Sequence, residues 1–166
     1  MSSTEVPGAA VLTCTHKAFA DLTLHELYEL LCLRDEVFVV GQKITAEPEV
    51  DGLDPQCTHI LGRDANGRMI ATARLFLDKT PVKVGRVAVA SARQGQGLGT
   101  ALMAYVHTVL GARPAAMSAQ AHLGPWYSRL GWQPVGEVYV EAEIPHMHMK
   151  RGGDTRLGPT QKESSS

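Results

Sequence analysis

The sequence is poor in cysteine, and the cysteines it has do not form a recognisable metal or disulfide pattern. There are three, Cys14, Cys32 and Cys57, and no Cys-x-x-Cys pair occurs. An odd and widely spaced set argues against a disulfide framework and against a zinc knuckle. We therefore expect small buried hydrophobic side chains in a reducing compartment.

Long apolar runs are also missing. The longest stretches, such as residues 36–40, fall far short of the ~20 residues that a membrane-spanning helix needs. The opening Met-Ser-Ser-Thr-Glu lacks the basic and apolar segments of a secretory signal. The expectation is a cytoplasmic chain with no membrane partner.

An excess of either charge is absent as well. The 16 Lys and Arg residues nearly cancel the 17 Asp and Glu residues, and 44% of the chain is hydrophobic. This balance argues against disorder and against a nucleic-acid-binding module whose affinity comes from neutralising phosphates. With 166 residues, the chain has the size of one domain.

Composition and periodicity predict a single α/β domain over residues 9–151. Residues 1–8 and 152–166 are rich in Gly, Pro, Ser and charge, and we expect them to be flexible and to lie outside the fold. Between them the pattern predicts the order β-α-β-β-β-α-β-α-β-β. Such an order gives a mixed sheet covered by helices.

The first predicted helix begins at a capping box formed by Thr23 and Glu26. Arg34 interrupts its apolar stripe, and a stripe arginine should be paired or functional. The stripe itself consists of Leu24, Leu27, Leu31 and Phe38.

The strongest chemical signal is a glycine-rich turn between a strand and a helix. Gly95, Gly97 and Gly99 fall within five residues, directly before a helical pattern that continues to Val109. Converging backbone amides and a helix N-terminus suit a pyrophosphate. The alternative is a tight turn that binds nothing. A P-loop is excluded because no Gly-Lys-Ser/Thr follows, and the dinucleotide-binding pattern also fails.

This turn resembles motif A of the GNAT acyltransferases, met as Gln94-x-x-Gly97-x-Gly99 after the strand at 86–89. Further stretches in the same order resemble the ElaA-type branch of that superfamily, and the match covers roughly residues 15–150. These stretches are 26–28, 33–40, Asp51-Gly52-x-Asp54, His59, 119–123, 126–132 and 144–149. Residues 41–46 depart from the branch, which predicts an altered substrate-side loop.

The resemblance implies a mixed, mostly antiparallel sheet with splayed central strands and helices on both faces. It also implies acetyl-CoA or another acyl-CoA as co-substrate, a small-molecule or peptide amine as acceptor, and a tendency to form a homodimer. The implied cofactor-binding residues are Val87, Ala88, Val89, Gln94, Gly95, Gln96, Gly97, Leu98, Gly99 and Thr100.

Candidate catalytic residues follow from the chemistry of acyl transfer, which needs a neutral amine and a proton for the departing thiolate. Tyr127 suits the second task because a phenol is protonated at neutral pH. His122 and His146 are the candidate bases, since histidine titrates near neutrality. A metal site from these two and His148 lacks any ligand spacing to support it, so we expect no metal.

Four acids, Glu47, Glu49, Asp51 and Asp54, fall in the loop where the GNAT fold builds its acceptor side. They either attract a cationic amine or form a solvated acidic loop. With Arg34, Phe38 and Arg74, three of them also resemble a pattern of acyl-homoserine lactone synthases, which implies pairing of Arg34 and Arg74 with Asp51 and Asp54. The expected substrate-side residues are Arg34, Glu49, Asp51, Arg74 and Gln120.

The sequence thus predicts an acyl-CoA-dependent N-acyltransferase that acts by direct attack in a ternary complex. A covalent enzyme intermediate is not implied, because no nucleophile with an adjacent base is visible. Two alternatives stay open. One is a non-catalytic acyl-CoA binder or sensor. The other is an enzyme resembling the lactone synthases, although the chain length and the loop from Gln94 to Gly99 favour a CoA enzyme.

Overall fold

The computed structural model describes residues 2–6 and 10–153, which form one eight-stranded sheet flanked by helices. The strands are β1 (Ser2–Val6), β2 (Ala10–Ala18), β3 (Thr58–Arg63), β4 (Met69–Phe76), β5 (Val82–Val89), β6 (Ala115–Gln120), β7 (Gln133–Glu141) and β8 (Ile144–Arg151). Their order in the sheet is β1-β2-β3-β4-β5-β6-β8-β7. All neighbours are antiparallel except β5 and β6.

The described residues form three α-helices, α1 (Leu24–Arg34), α2 (Leu98–Leu110) and α3 (Gly124–Arg129). A π-helical segment, Asp35–Gly41, continues α1. Short 3-10 turns cover Phe19–Asp21, Asp54–Gln56, Ser91–Arg93 and Ala121–Leu123.

The two long helices lie on opposite faces of the sheet. Ile60 and Leu61 are neighbours on β3, so their side chains point to opposite faces. Ile60 packs with the buried residues of α2, whereas Leu61 packs with Leu30 and Leu33 of α1. The predicted mixed sheet with helices on both faces is therefore confirmed.

The face that α1 buries differs from the predicted stripe. The capping box of Thr23 and Glu26 is present as predicted. Leu30, Leu33 and Val37 fill the core, while Leu24 is 88% exposed. Leu27, Leu31 and Phe38 of the predicted stripe pack against this core while only partly buried. Arg34, also on the predicted stripe, is buried and paired with the carboxylates of Glu49 and Asp54.

The start of the chain is another difference. Residues 2–6 were expected to lie outside the fold, but they form β1 and pair with β2 from Ser2 opposite Cys14 to Val6 opposite Ala10. A strand partner satisfies the backbone of even a polar segment, so composition alone does not exclude it. Of the expected C-terminal tail, residues 154–166 lie outside the described residues.

The sheet parts between its two central strands. β5 and β6 pair only from Val82 to Val84, opposite Ala115 to Met117. A register shift between Thr72 and Arg74 of β4 faces Arg86, whose φ of 51° is in the left-handed region. A bulge bends its strand and increases the local twist. Within the part of the chain that the structure describes, residues 85–89 of β5 have no strand partner on the β6 side, and a cleft opens there.

Candidate active site

A cleft of about 950 Å³ occupies the gap between β5 and β6. The residues that line it come from the loop after α1, from β4 and β5, from the turn before α2, and from β6, β8 and α3. Predicted residues on its walls are Glu49, Asp51, Arg74, Val87, Ala88, Val89, Gln94, Gly95, Gly97, Leu98, Gly99, Thr100, Gln120, His122, Tyr127 and His146. Arg34 and Gln96 are the predicted site residues that do not line it.

One wall of the cleft is the free edge of β5. The amide of Ala90 donates to the carbonyl of Ile70, just beyond the end of β5, at 2.7 Å. Successive amides of an extended strand point to opposite edges, so those of Val87 and Val89 point toward β6. No strand of the described chain meets them there. A ligand with amide groups in an extended arm can take up these hydrogen bonds.

The turn before α2 presents a second set of free amides. Gly97 is the N-cap, has a φ of 78°, and no side chain caps this helix end. The first intrahelical bond is donated by Ala101, whose amide reaches the carbonyl of Gly97 at 3.2 Å. The amides of residues 98–100 therefore remain available, and the positive end of the helix dipole faces the same point. This combination fits a phosphate or pyrophosphate.

Side chains around this turn hold it in place instead of filling it. Gln94 donates from its side-chain amide to the carbonyl of Val89 at 3.2 Å, and Gln96 accepts from Arg93. The Leu98 side chain is buried in the core, so it can offer only its backbone. A Cβ on Gly99 would lie 3.4 Å from the ring of Trp126, which is ordinary van der Waals contact.

Tyr127 lies at the floor of the cleft between two tryptophans. It is 5% exposed, with ring centroids 4.7 Å from Trp126 and 6.4 Å from Trp132. Its hydroxyl has no hydrogen-bond partner among the residues described. The one fully buried unpaired side-chain atom in that part of the chain is Nε of Arg74, so the Tyr127 hydroxyl keeps contact with the cleft. Burial raises the pKa of Tyr127 to about 12, which keeps it protonated at neutral pH.

The acidic loop is held by an ion-pair network on the acceptor side. The Glu49 carboxylate accepts from Nε of both Arg34 and Arg86, each at 2.7 Å. Arg34 is only 1% exposed and therefore lies beneath the cleft wall. It holds Glu49 in position from below and does not itself line the cleft.

The second half of the network carries Asp51 and Asp54. Arg74 donates to Asp51 through both terminal nitrogens and to Asp54 at 2.9 Å, and Arg34 also reaches Asp54 at 2.8 Å. These are the pairs that the resemblance implied. The hydrogen bonds from Arg74 hold the pKa of Asp51 well below its usual range. Burial would raise the pKa of Asp54, but the two arginines outweigh it and the net shift is downward.

This network changes the electrostatic expectation for the acceptor side. Three carboxylates, from Glu49, Asp51 and Asp54, are matched by three guanidinium groups, from Arg34, Arg74 and Arg86. The paired cluster is therefore close to neutral. Glu47, the fourth acid of the loop, is exposed and lines the cleft outside this network.

The opposite wall carries the candidate bases. His146 on β8 is 7% exposed and reaches the carbonyl of Ile144 with Nδ1 at 2.7 Å. Glu141 on β7 lies 3.6 Å from its Nε2. His122 lines the cleft from a 3-10 turn and is exposed. Gln120 at the end of β6 donates to Gln42 at 2.9 Å, which ties the altered loop at 41–46 to this wall.

Several cleft residues were missed by the sequence analysis. Arg86 lies at the bulge of β5, Glu141 at the end of β7, and Trp126 and Gln42 complete the floor and the entrance. The unusual Gly85 in a strand pattern is a signal for the bulge at Arg86. No comparable signal marks Glu141, because its place depends on the register of β7.

None of the three cysteines lines the cleft. Cys14 and Cys57 are buried as expected, and burial raises the pKa of each thiol to about 11. Cys32 is exposed on α1, contrary to the expectation. Within residues 2–6 and 10–153, no three His, Cys, Asp or Glu side chains are placed to hold a metal ion. The same residues include no helix long and apolar enough to cross a membrane.

Comparison with known proteins identifies the family. Residues 37–152 match the acetyltransferase (GNAT) domain. ElaA of Escherichia coli is 38% identical over 141 residues, or 80% of this chain and 91% of ElaA. The structural match with the crystal structure of ElaA covers 84% of this chain and 99% of the ElaA chain, with a TM-score of 0.75 and 36% identity.

Two further proteins support the same assignment. A UPF0039 protein of Schizosaccharomyces pombe is 35% identical over 145 residues, which is 84% of this chain and 96% of that protein. The crystal structure of an acyl-CoA N-acyltransferase from Pseudomonas aeruginosa is 44% identical, with a TM-score of 0.78, and covers 85% of this chain and 99% of that one. The resemblance to the ElaA-type branch is therefore confirmed, and the chain belongs to the GNAT acetyltransferase family.

Proposed function

We propose that the protein transfers an acyl group, most simply acetyl, from acyl-CoA to a primary amine. The observation that carries this proposal is the convergence, in one cleft, of the unpaired β5 edge, the uncapped start of α2 and the hydroxyl of Tyr127. The family membership and the acyl-CoA N-acyltransferase from Pseudomonas aeruginosa support the choice of co-substrate.

The chain's residues fit an acyl-CoA. The amides of Val87 and Val89 would hold the pantetheine arm, and those from Gln94 to Thr100 the pyrophosphate. Gly95 and Gly97 both have φ near 80°, the left-handed region that L side chains rarely adopt, so the backbone approaches the ligand without a Cβ. When bound, the thioester supplies an acyl carbon that is activated toward amines.

Tyr127 is proposed to donate the proton that the leaving sulfur requires. The hydroxyl faces the cleft, has no partner to displace among the described residues, and stays protonated because burial raises the pKa of Tyr127 to about 12. The tryptophans on either side fix the ring and exclude water from it. A positioned proton donor of this kind contributes about 10²- to 10⁴-fold in rate.

The acceptor is proposed to enter between the ion-pair network and the β6–β8 wall. Glu49, Asp51, Arg74 and Gln120 would form its surroundings, while Arg34 supports them from below. Because the network is neutral, shape and hydrogen bonding would select the amine more than long-range attraction does. Small-molecule amines and peptide amines both remain within the proposal.

Cofactor binding is tested by the melting temperature of the purified chain with and without acetyl-CoA. Binding to the folded state stabilises it, by about 2.7 kcal/mol of unfolding free energy when the ligand concentration is a hundred times Kd, and so raises the melting temperature. Free CoA provides the comparison for the acyl group. No shift with either compound, in protein shown to be folded, contradicts the proposal.

Catalysis is tested by thiol release with a panel of amines, namely an amino acid, a polyamine, an aminoglycoside and a lysine peptide. Amine-dependent release above the hydrolytic background supports transfer. A non-catalytic binder or sensor would give the thermal shift but no release with any amine. Acyl carrier protein loaded with the same acyl group is the third arm, since preference for the carrier would favour the lactone-synthase alternative.

The cytoplasmic location and the homodimer also remain proposals. Edge strand β7 exposes Val138 and Val140, at 55% and 72%, which is compatible with a strand-edge dimer contact. Sedimentation velocity of the purified chain measures the oligomeric state. Fractionation of cells that express it measures the location.

A further inference from the structure

The cleft-facing surface of β6, β8 and β7 carries a cluster of polar side chains. Gln120 lies opposite His146, and His146 lies opposite Tyr139. Residues two positions apart share a face of a strand, so Ser118 and Glu141 join this cluster. The neighbouring Met117 and Met149 point to the other face, into the core beneath α2. A whole row of polar groups is thus directed at the cleft.

The ring of His146 is held in one tautomer by its own strand. Nδ1 lies 2.7 Å from the carbonyl oxygen of Ile144, and a carbonyl can only accept, so Nδ1 carries a proton. In the neutral ring, Nε2 is then the nitrogen with the free lone pair. Since His146 is buried and lines the cleft, that lone pair is protected from bulk water but open to a ligand.

A carboxylate lies beside this lone pair. Oε2 of Glu141 is 3.6 Å from Nε2, which is too far for a strong hydrogen bond to a neutral ring but close enough to stabilise an imidazolium. Ser118 donates to the same carboxylate at 3.5 Å and is hydrogen-bonded to the Tyr139 hydroxyl. Glu141 is 45% exposed, so a proton can leave from there to solvent.

His122 lacks these supports. It lines the cleft but is exposed, and no hydrogen bond or ion pair to another described side chain orients its ring. Of the two candidate bases predicted from the sequence, only His146 has a fixed tautomer and a neighbouring carboxylate.

We propose that His146 accepts the proton of the incoming ammonium at Nε2 and that Glu141 is the positioning residue that stabilises the resulting imidazolium. This inference rests on the proposed function. The N–H bond of the ammonium breaks, its electron pair stays on nitrogen as the nucleophilic lone pair, and the proton forms a new bond to Nε2. The carboxylate of Glu141 balances the positive charge of the imidazolium, and water takes the proton from Nε2 after each turnover.

The charged and titratable groups around His146 come from three strands and one turn. β7 contributes Glu141 and Tyr139, with the Tyr139 ring 6.2 Å away, and β8 contributes His148. β6 contributes only the uncharged Ser118 and Gln120, and the turn before α3 contributes His122. Among these groups, Glu141 is the one that carries a negative charge at neutral pH.

The first test does not depend on turnover. In histidine-detected NMR of the full chain, with His146→Gln used to assign the signals, we expect the Nδ1-H tautomer at His146. Glu141→Gln should leave this tautomer unchanged, because the carbonyl of Ile144 and not the carboxylate sets it. An Nε2-H tautomer at His146 overturns the proposal.

The second test uses acetyl-CoA and the amine that gives most thiol release. His146→Gln is expected to keep the acetyl-CoA thermal shift and to lose about 10²- to 10⁴-fold in kcat/KM at pH 7, with activity recovering as rising pH supplies free amine. Glu141→Gln should lose less in kcat/KM, because the base itself remains, and Glu141→Asp should recover part of that loss. Unchanged kcat/KM and pH profile in His146→Gln overturns the base assignment while leaving the transferase intact. Absence of release by the wild-type chain instead contradicts the proposed function and the base with it.

Discussion

Tyr127 makes a contribution that can be separated from packing. Replacing it by Phe keeps the ring between the two tryptophans and removes only a hydroxyl that has no hydrogen-bond partner in the described chain. We expect Tyr127→Phe to keep its melting temperature and acetyl-CoA affinity but to lose about 10²- to 10⁴-fold in kcat. Single-turnover thiol release beside calorimetric titration with acetyl-CoA measures both quantities.

Tyr105→Phe is the matched control for this experiment. The hydroxyl of Tyr105 is hydrogen-bonded to Nδ1 of His16 at 2.7 Å and does not line the cleft. Its loss should cost about 1 kcal/mol of stability and leave turnover unchanged. Wild-type kcat in Tyr127→Phe would remove the proton-donor role.

Gly97 is the residue whose backbone conformation the cradle needs most. Its φ is 78°, and an L side chain is strained there by roughly 1–2 kcal/mol. We expect Gly97→Ala to weaken acetyl-CoA binding, because the turn would relax and misdirect the amides at the start of α2. Gly97→Val, with its branched Cβ, should abolish most of the affinity while the far-ultraviolet circular dichroism stays unchanged.

A second glycine separates strain from binding. Gly67 has nearly the same φ, 81°, in an exposed hairpin turn where a Cβ would meet open space. Gly67→Ala should therefore lower the melting temperature of the free protein as Gly97→Ala does, yet keep the full stabilisation by acetyl-CoA. Equal acetyl-CoA titrations for the two variants would disprove the cradle assignment.

The ion-pair network attaches the loop between α1 and β3 to the sheet. Replacing Arg34 by Met removes one of the two arginines on Glu49 and one of the two on Asp54. Each carboxylate keeps its second partner, so we expect a loss near the lower end of the range for breaking a buried pair, about 3 kcal/mol. Urea unfolding followed by tryptophan fluorescence measures the change.

The surface pair of Lys17 and Glu26 offers the comparison for this loss. Lys17 has a side chain that is 36% exposed, and Lys17→Met should cost at most about 1 kcal/mol. If Arg34→Met costs no more than Lys17→Met, the network contributes specificity of loop position without net stability. The acetyl-CoA thermal shift should survive in both variants, since neither residue touches the cradle.

The contact between α2 and the chain leading into β7 predicts a pH dependence. Trp132 donates from Nε1 to Nε2 of His107 at 3.0 Å, which requires an unprotonated acceptor. Burial lowers the pKa of His107 from 6.5 to about 4. Between these values the unfolded chain binds a proton that the folded chain does not, so stability is complete above pH 6.5 and falls as the pH drops toward 4.

The variant His107→Gln measures how much His107 contributes to the pH dependence of the unfolding free energy. Burial also lowers the pKa of His59, which adds a slope of the same sign. The carboxylates of Asp51 and Asp54 act only at lower pH, because their unfolded values lie near 3.8. We expect His107→Gln to reduce, without removing, the slope of unfolding free energy between pH 4.5 and 6.5, measured by urea titrations at several pH values. An unaltered slope would contradict the assignment to His107.

The sequence predicts most of the architecture because periodicity is a local property. The alternation of strands and helices, the capping box at Thr23 and the turn at Gly97 are all recorded in neighbouring residues. The pairing of β1 and the burial of Arg34 are not, because each depends on a partner distant in the chain. Arg34 can be buried because carboxylates from the loop after α1 pair with it.

The candidate site also contains residues that the sequence predicts and residues that it does not. The glycine-rich turn is readable because its chemistry resides in the backbone of consecutive residues. The pairing of Arg34 and Arg74 with Asp51 and Asp54 followed only from the resemblance to another family, and Arg86 and Glu141 were missed altogether. These two reach the cleft through a bulge in β5, for which Gly85 is the one local signal, and through the register of β7, which a single sequence does not reveal.

The gap between β5 and β6 has a further consequence for the dynamics of the whole molecule. Val87 and Val89 lie in the middle of an eight-stranded sheet, yet their amides have the exchange environment of an edge. We expect deuterium to replace these two protons early in the free protein, while Val84, where the two strands still pair, retains its proton for longer. Acetyl-CoA should slow the exchange of both amide protons. Hydrogen bonds to the bound substrate would then protect β5 where a neighbouring strand protects the other central strands.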